Sequence, residues 1–277
     1  METVAETLPA SRHPTFRAFV TGAPAYVPVE GQMAAWLAVL LTTAIMISAQ
    51  LIAFALNSVY KIATTPKVPD LPALPAPNGD VTYALSWPMP PPAELLRMTL
   101  LSQIAVVVMT LVAARRTGLV PALRLARPAG GWRPFAYAVL AMLPVVAVIN
   151  LFSFRVAPAD RARDFSAFAE LARADVIVLA SLTIGAGASA SEELMFRGFL
   201  LSSLAATRLG YWPAAVLATL AWTALHWTYS WVGLLEVFVI GLYFSWLLWR
   251  TGSLWPPLVC HALYNSCLLA ILRFWPA

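Results

Sequence analysis

Two adjacent glutamates and an arginine lie in one of the least charged parts of this sequence. They are Glu192, Glu193 and Arg197, in the stretch "SASEELMFRGFL", which follows the uncharged run "VIVLASLTIGAGA". In a helix, Glu193 and Arg197 share a face in the favourable order, whereas Glu192 is rotated away by about 100° and lies over Phe196. The spacing therefore predicts a structural Glu193–Arg197 ion pair and leaves Glu192 unpaired.

Glu192 is a candidate general base. Insertion of a charged side chain into a membrane span costs about 2.5 to 3.5 kcal/mol, so a carboxylate found there is expected to have a function. In a low-dielectric site, a carboxylate without a positive partner takes up a proton more readily than it does in water. It can therefore deprotonate a water molecule, as hydrolysis by water requires.

Two of the three histidines also lie in apolar sequence. His226 stands in "WTALHWTYSW" and His261 in "PPLVCHALYNS", where Asn265 follows four residues later on the same helical face. Glu192 lies 17 residues before Leu209 in the presumed turn, and His226 lies 17 residues after it. A helical hairpin would place both side chains about 20 to 25 Å from that turn. Together the two histidines, Asn265 and Glu192 predict a hydrolytic site.

Each of these residues has a structural alternative. A histidine or asparagine inside a membrane often serves only to hydrogen-bond a neighbouring helix, and a Glu–Arg pair is usually structural. Glu236, in "GLLEVFVIG", is a further polar residue, which either supports the site or lies on the substrate path. Trp222 and Phe196 are aromatic residues expected to support the site. A relay through Glu192, Glu236 and the histidines would suit a proton-coupled transporter, but the sequence shows no two related halves with matching breaks.

The composition predicts an all-α membrane protein. Of the 277 residues, 60% are hydrophobic and 11% are charged, against about 25% charged in an ordinary soluble domain. No basic run with interleaved aromatics accompanies the net charge of +5, so the expected partner is the lipid bilayer and not nucleic acid. Apolar runs long enough to cross about 30 Å of hydrocarbon predict a polytopic transmembrane bundle of about seven helices. The spans are expected near residues 33–56, 98–114, 135–154, 176–206, 212–226, 232–249 and 254–272.

Two regions are expected along the chain. Residues 1–97 comprise an N-terminal tail, the first transmembrane helix and a loop at 61–97, which contains nine of the 22 prolines and is predicted to be extended and not helical. Residues 98–277 form the helical core, with the motifs in 176–270. The amphipathic stretch within 155–175 suits a helix at the membrane interface. The protein is expected to be a multi-pass integral protein of the cell membrane.

The three polar motifs resemble those of a known family. "EELMFRG", "WTALH" and "HALYN" are similar, in order and spacing, to the EExxxR, FxxxH and HxxxN motifs of the CPBP (Abi) intramembrane proteases, which include the type II CAAX prenyl endopeptidases. The likeness covers residues 176–270. Trp222 stands where the family usually has phenylalanine, an exchange expected to reshape the pocket wall and to leave the chemistry intact.

The resemblance implies an intramembrane endopeptidase. Glu192 and His226 would activate a water molecule for attack on a peptide carbonyl, and His261 and Asn265 would stabilise the oxyanion. The substrate would be a membrane-anchored or lipid-modified peptide, or the C-terminal peptide of a protein. The alternative is a non-catalytic membrane protein of the same fold, such as an immunity-type binder.

The sequence leaves the cofactor open. Glu192, His226 and His261 would make an acceptable zinc set with one open position. The motifs lack the compact HExxH spacing that makes a zinc site strong evidence. A metal-free site and a zinc site therefore both stand as predictions.

Overall fold

Helices make up all of the regular structure in the part of the chain that the structure, a computed structural model, describes: residues 15–28, 33–64, 90–173 and 175–274. The predicted all-α class is confirmed. A single 3₁₀ turn, Val120–Leu123, accompanies them in these ranges. In chain order, the helices are α1 (Phe16–Thr21), α2 (Ala35–Thr64), α3 (Pro92–Arg116), α4 (Arg133–Val156), α5 (Pro158–Arg173), α6 (residues 177–205), α7 (Tyr211–Ala224), α8 (Trp231–Thr251) and α9 (Trp255–Phe274).

Five of these helices, namely α2, α3, α4, α8 and α9, are long and apolar enough to cross a membrane. The other two predicted spans correspond to α6, which is not a regular α-helix, and to α7, which has 14 residues. A regular helix needs about 20 residues to cross the hydrocarbon layer, so α7 is too short to do so alone. The number of seven spans stays a prediction.

α6 alternates between α-helical and π-helical turns and carries the acidic pair. Its π-helical parts are Ser181–Gly187 and Glu193–Leu201. A π-turn bonds each N–H to the carbonyl five residues earlier and occurs often at functional sites. Glu192 closes an α-helical turn and Glu193 opens a π-helical one, so the side chains that follow depart from the positions of a regular helix.

The proline-rich region is helical at both of its ends. α2 continues to Thr64, and α3 begins at Pro92. Proline is tolerated at the first position of a helix, because an N–H there would not be hydrogen-bonded within the helix. The prediction that residues 61–97 are extended throughout is therefore wrong at its ends, and the expected boundary at residue 97 falls inside α3. Residues 65–89 lie outside the described part of the chain.

α8 is the central helix of the bundle. Its most apolar window is 56% buried, whereas the same measure is 17 to 28% in the other four candidate spans, whose open faces suit lipid. Ser230 caps its N-terminus by accepting from the N–H of Gly233 (3.2 Å). Near its C-terminus, the guanidinium of Arg250 donates to the carbonyls of Ala18, Phe19 and Gly22, which attaches α1 to the bundle.

α5 packs against the bundle instead of lying only at a membrane surface. Its aromatic side chains Phe165 and Phe168 pack on a small core that includes Leu269 of α9. Asp164 accepts hydrogen bonds from the N–H (2.9 Å) and the hydroxyl (2.5 Å) of Ser230. These contacts place one face of α5 beside the N-terminus of α8, and residues of both helices line the cavity described below.

Candidate active site

A cavity of about 280 Å³ lies between α5, α6, α8 and α9 and the turn that follows α7. All four residues of the predicted hydrolytic set line it: Glu192, His226, His261 and Asn265. Most of its remaining wall is apolar or aromatic, with Phe165, Ile184, Val237 and Phe244 as examples. The cavity therefore combines a cluster of polar groups with an apolar enclosure, as binding sites for largely apolar ligands do.

The spacing on its own helix predicts that Glu192 is unpaired, but in the structure Glu192 has a hydrogen-bond partner. Its Oε2 accepts a hydrogen bond from the indole Nε1 of Trp222 (2.5 Å) and lies 4.0 Å from Nε2 of His261. The prediction considered only charged partners, and an indole N–H is a neutral donor supplied by another helix. The Glu192 side chain is 23% exposed, so the carboxylate is held in place and can still meet a molecule in the cavity.

Glu193 is fully buried and joins two groups. Arg197 Nη1 donates to its Oε1 at 3.0 Å, and Nδ1 of His261 lies 2.9 Å from the same oxygen. A carboxylate can only accept, so Nδ1 of His261 carries the proton and Nε2 faces Glu192. Glu193 therefore has two roles in this geometry, because it neutralises a buried guanidinium and orients the imidazole of α9.

Arg197 is held on three sides. Besides the bond to Glu193, its Nη2 donates to the carbonyl of Gly241 (3.3 Å) and its guanidinium lies 4.3 Å from the ring centre of Trp222. Both charged side chains of the pair are completely enclosed, and such a pair is stable only if the guanidinium keeps its partners. Arg197 thus contacts α7 and α8 as well as Glu193 on its own helix.

Gly241 allows this close approach, and its replacement is expected to lower stability. A Cβ at this position would lie 2.6 Å from Thr219, 2.9 Å from Arg197 Nη2 and 2.9 Å from the Trp222 ring. Gly241→Ala should reduce the free energy of unfolding by about 1 to 3 kcal/mol, the usual cost of overpacking. Thermal unfolding of the purified variant checks this.

Gly198→Ala is the matched control for that prediction. A Cβ at Gly198, also a buried helical glycine, would meet its nearest neighbours at 3.4 to 3.5 Å, which is ordinary contact. Alanine also favours helix over glycine, so this variant should melt at or slightly above the wild-type temperature. Equal melting of the two variants would contradict the role given to Gly241.

The sequence predicts that His226 lies inside a membrane span. In the structure it lies beyond the end of α7, in the turn before α8. Its Nδ1 is 3.1 Å from the carbonyl of Trp222, and its ring packs edge-on against Trp222 and Tyr229, with ring centres 5.2 Å apart in both cases. A carbonyl can only accept, so Nδ1 is protonated in this contact. In the neutral imidazole Nε2 is therefore the acceptor, as proton transfer from water requires.

Asn265 uses one of its two amide hydrogens to hold α9 against α6. Its Nδ2 donates to the carbonyl of Ile184 in the first π-helical part (2.8 Å). A carboxamide has a second N–H, so the group still has a donor to offer to a bound carbonyl. Tyr229 offers another donor on the cavity wall, because burial raises the pKa of its phenol and keeps it protonated at neutral pH.

Glu236 lines the cavity within a polar network that the sequence does not reveal. It forms an ion pair with Arg161 of α5, and its Oε1 also accepts from Arg161 Nη2 (2.8 Å) and from the hydroxyl of Tyr264 (2.5 Å). Asn150 of α4 accepts from Arg161 in turn (2.8 Å). Arg161 belongs to the amphipathic stretch that the sequence predicts to lie at the membrane interface. Tyr264 directly precedes Asn265 in the third motif. The network joins α4, α5, α8 and α9 beside the site.

The two aromatic residues singled out in the sequence differ in position. Trp222 lines the cavity, as predicted for a residue of the pocket wall, and it also donates a hydrogen bond to Glu192, which the sequence does not predict. Phe196 is 2% exposed, packs in the hydrophobic core and does not line the cavity. The π-helical turn that begins at Glu193 explains why a residue four positions after Glu192 does not follow it into the cavity.

The zinc set predicted as an alternative is not formed by this arrangement. In the described ranges, no group of three or more His, Cys, Asp or Glu side chains is placed to hold a metal ion. The residues as placed do not fit a zinc centre, and no step derived below passes through a metal.

Residues 174–267 match the family model described as type II CAAX prenyl endopeptidase Rce1-like. The segment is therefore similar to the domain of these proteases, and it is called the CAAX protease-like domain below. It begins just before α6 and ends inside α9, so it includes every residue of the predicted hydrolytic set and also Trp222 and Glu236. No curated protein and no solved structure matches the chain.

The match supports CAAX-type intramembrane protease activity in general terms, and with the apolar helices it supports an integral membrane protein that meets a membrane-associated substrate. The CAAX protease-like domain is completed by helices outside the matched segment. Arg161, Asp164 and Phe165 of α5 contribute to the cavity wall, as do Thr99 and Gln103 of α3. Helices α3 and α5 thus form part of the cavity wall together with the domain.

Proposed function

We propose that this protein is an intramembrane endopeptidase that hydrolyses a peptide bond in a membrane-anchored or lipid-modified substrate. The observation that supports this most is the arrangement of Glu192, His226, His261 and Asn265 around one cavity inside the CAAX protease-like domain. Hydrolysis needs a base for water and donors for the oxyanion, and this set contains both kinds of group.

Glu192 and His226 act on the water. The carboxylate takes the proton as the water oxygen forms its bond to the peptide carbonyl carbon, and His226, with Nδ1–H held by the Trp222 carbonyl, presents Nε2 as a second acceptor. The proton on Glu192 then passes to the leaving amine as the C–N bond breaks. The products are a carboxylic acid and an amine, and the base returns to its starting state.

His261 and Asn265 act on the oxyanion. Asn265 offers its second amide N–H, while His261 offers Nε2–H when the imidazole is protonated on both nitrogens. Glu193 holds Nδ1 of this imidazole, so Nε2 is the nitrogen directed toward Glu192, at 4.0 Å. Donors of this kind commonly contribute about 3 to 4 kcal/mol of transition-state stabilisation each.

The apolar walls indicate how the substrate is presented. Apolar side chains of three helices line the cavity, namely Phe165 and Phe168 of α5, Val237 and Ile240 of α8, and Leu268 of α9. An extended peptide with apolar side chains or an attached lipid would bury its surface there. A substrate held in the bilayer would thus bring its scissile bond to the polar cluster while its anchor stays in lipid.

Cleavage in proteoliposomes tests the proposal. The purified protein, reconstituted with a peptide anchored by a transmembrane segment or by a lipid-modified C-terminal cysteine, should release a shorter product. In water enriched in heavy oxygen, mass spectrometry should find one heavy oxygen in the new carboxyl group. The same peptide without its anchor is the control and should be cleaved far more slowly. Folded protein that cleaves none of the anchored peptides would contradict the proposal.

A further inference from the structure

Trp222 contacts four ionisable residues at the site, namely Glu192, Arg197, His226 and His261. Its indole N–H bonds Glu192, its ring face lies 4.3 Å from the guanidinium of Arg197, and its ring centre lies 5.7 Å from that of His261 in an edge-on arrangement. Its carbonyl holds Nδ1 of His226, whose ring also packs on it. A single side chain thus connects α6, α9 and the turn after α7 at the site.

We propose that Trp222 is a positioning residue, whose indole N–H fixes the carboxylate of Glu192 in the orientation needed to accept a proton from water. The inference rests on the proposed function, because it assigns a role in a reaction carried out by Glu192. It concerns the hydrogen bond from Nε1 to Oε2 and not the ring as a wall of the cavity.

A neutral donor suits this task better than a cation. A glutamate side chain has several rotatable bonds, so a carboxylate in a cavity samples many orientations unless something holds it. An arginine or lysine would hold it, but would also neutralise the charge that makes it a base. The indole N–H binds one oxygen and leaves the negative charge in place, and it is a donor that cannot accept the proton itself.

The indole is itself held firmly. Trp222 is 3% exposed, packs against Phe244 of α8 at a ring-centre distance of 6.3 Å, and has the guanidinium of Arg197 over its face. A Cβ on Gly241 would lie 2.9 Å from the ring, which shows how closely α8 approaches it. A hydrogen-bond donor that is held rigidly by packing also restricts the orientation of the group that it binds.

Trp222→Phe removes the donor and keeps an aromatic ring. A hydrogen bond to a charged group is expected to change kcat by about tenfold to a hundredfold when the group acts only in the transition state. We expect kcat to fall by that factor while KM changes by less than about twofold, since the substrate still meets a ring. Trp246→Phe is the matched control, because Trp246 packs with Phe19 and Tyr243 and does not line the cavity. This control should leave both constants near the wild-type values.

The indole resonance of Trp222 reports the bond without any assay of cleavage. Trp222→Phe identifies this signal among the 11 tryptophans in a spectrum of protein with nitrogen-labelled tryptophan. In otherwise wild-type protein, Glu192→Gln should move the identified signal, because the carboxylate acceptor becomes a neutral amide. The signal of Trp246 should not move.

Each outcome decides the inference. A fall in kcat with an unchanged KM, together with a shifted indole signal, supports it. An unchanged kcat, or a rise in KM alone, shows that Trp222 only shapes the cavity, and an indole signal unaffected by Glu192→Gln shows that the bond is absent; either result overturns the inference. If the wild-type protein cleaves nothing, the proposed function fails, and the indole signal still decides whether Trp222 holds Glu192.

Discussion

Glu192→Gln is expected to reduce peptide cleavage by about 10²- to 10⁴-fold, the usual contribution of a general base. The substitution keeps the shape of the side chain and its acceptor oxygen for the Trp222 N–H, so the bond that fixes the residue is weakened and not removed. Arg197 keeps its ion pair with Glu193, so the loss of the Glu192 charge leaves no buried cation without a partner. The variant should therefore purify and melt as the wild type does.

The measurement is a comparison of initial cleavage rates in proteoliposomes, with thermal unfolding of the same samples. Glu170→Gln is the matched control, since it removes one negative charge from an exposed position on α5. That variant should cleave at the wild-type rate. If Glu192→Gln cleaves normally while folded, Glu192 is not the base, and the mechanism proposed above is wrong.

Composition and the length of the apolar runs predict the fold class, because backbone groups in lipid must be hydrogen-bonded and a run of about 20 apolar residues achieves this as a helix. Helical spacing also brings the motif residues near each other. The turn at Arg208, Leu209 and Gly210 does separate α6 from α7, and the far end of α7 reaches Glu192 through Trp222. The number of membrane crossings cannot be counted in the same way, because α7 is short and α6 is irregular.

The finer contacts of the site depend on features that a sequence pattern does not contain. The π-helical turn starting at Glu193 changes the direction of Phe196 and of the residues beyond it, and no residue type signals that turn. The partners of Glu192 and His261 come from other helices, so a count along one helix cannot find them. Such a count finds the local pair of Glu193 and Arg197. It does not reveal that His261 contacts the same Glu193 oxygen as Arg197.

Arg161 shows the same limit at longer range. In sequence it belongs to an amphipathic segment with several charges, which is typical of a helix at the membrane interface. In the structure it is 3% exposed and pairs with Glu236, 75 residues later in the chain. Only the packing of α5 on the bundle decides which of its charged residues face inward, and this packing depends on Phe165, Phe168 and the Asp164–Ser230 contact.

Glu193→Gln is expected to lower the free energy of unfolding by about 3 to 5 kcal/mol, as breaking a buried ion pair does. Glu193 and Arg197 have no exposed side-chain surface, so the guanidinium would keep its charge in an apolar interior without its carboxylate. The same change weakens the bond that orients His261. Both purification yield and the midpoint of thermal unfolding should fall, in contrast to the behaviour of Glu192→Gln.

A double variant separates the two roles of Glu193. Glu193→Gln combined with Arg197→Met removes the unpaired buried cation, and replacing a buried pair by apolar or neutral groups is often neutral or stabilising. The midpoint of thermal unfolding should therefore return most of the way to the wild-type value. Cleavage should stay low, because a neutral amide at position 193 holds Nδ1 of His261 less strongly than a carboxylate and orients the imidazole less firmly. Recovery of stability and of cleavage together would show that Glu193 serves only to neutralise Arg197; no recovery of stability would show that the loss in Glu193→Gln arises at His261 instead of at Arg197.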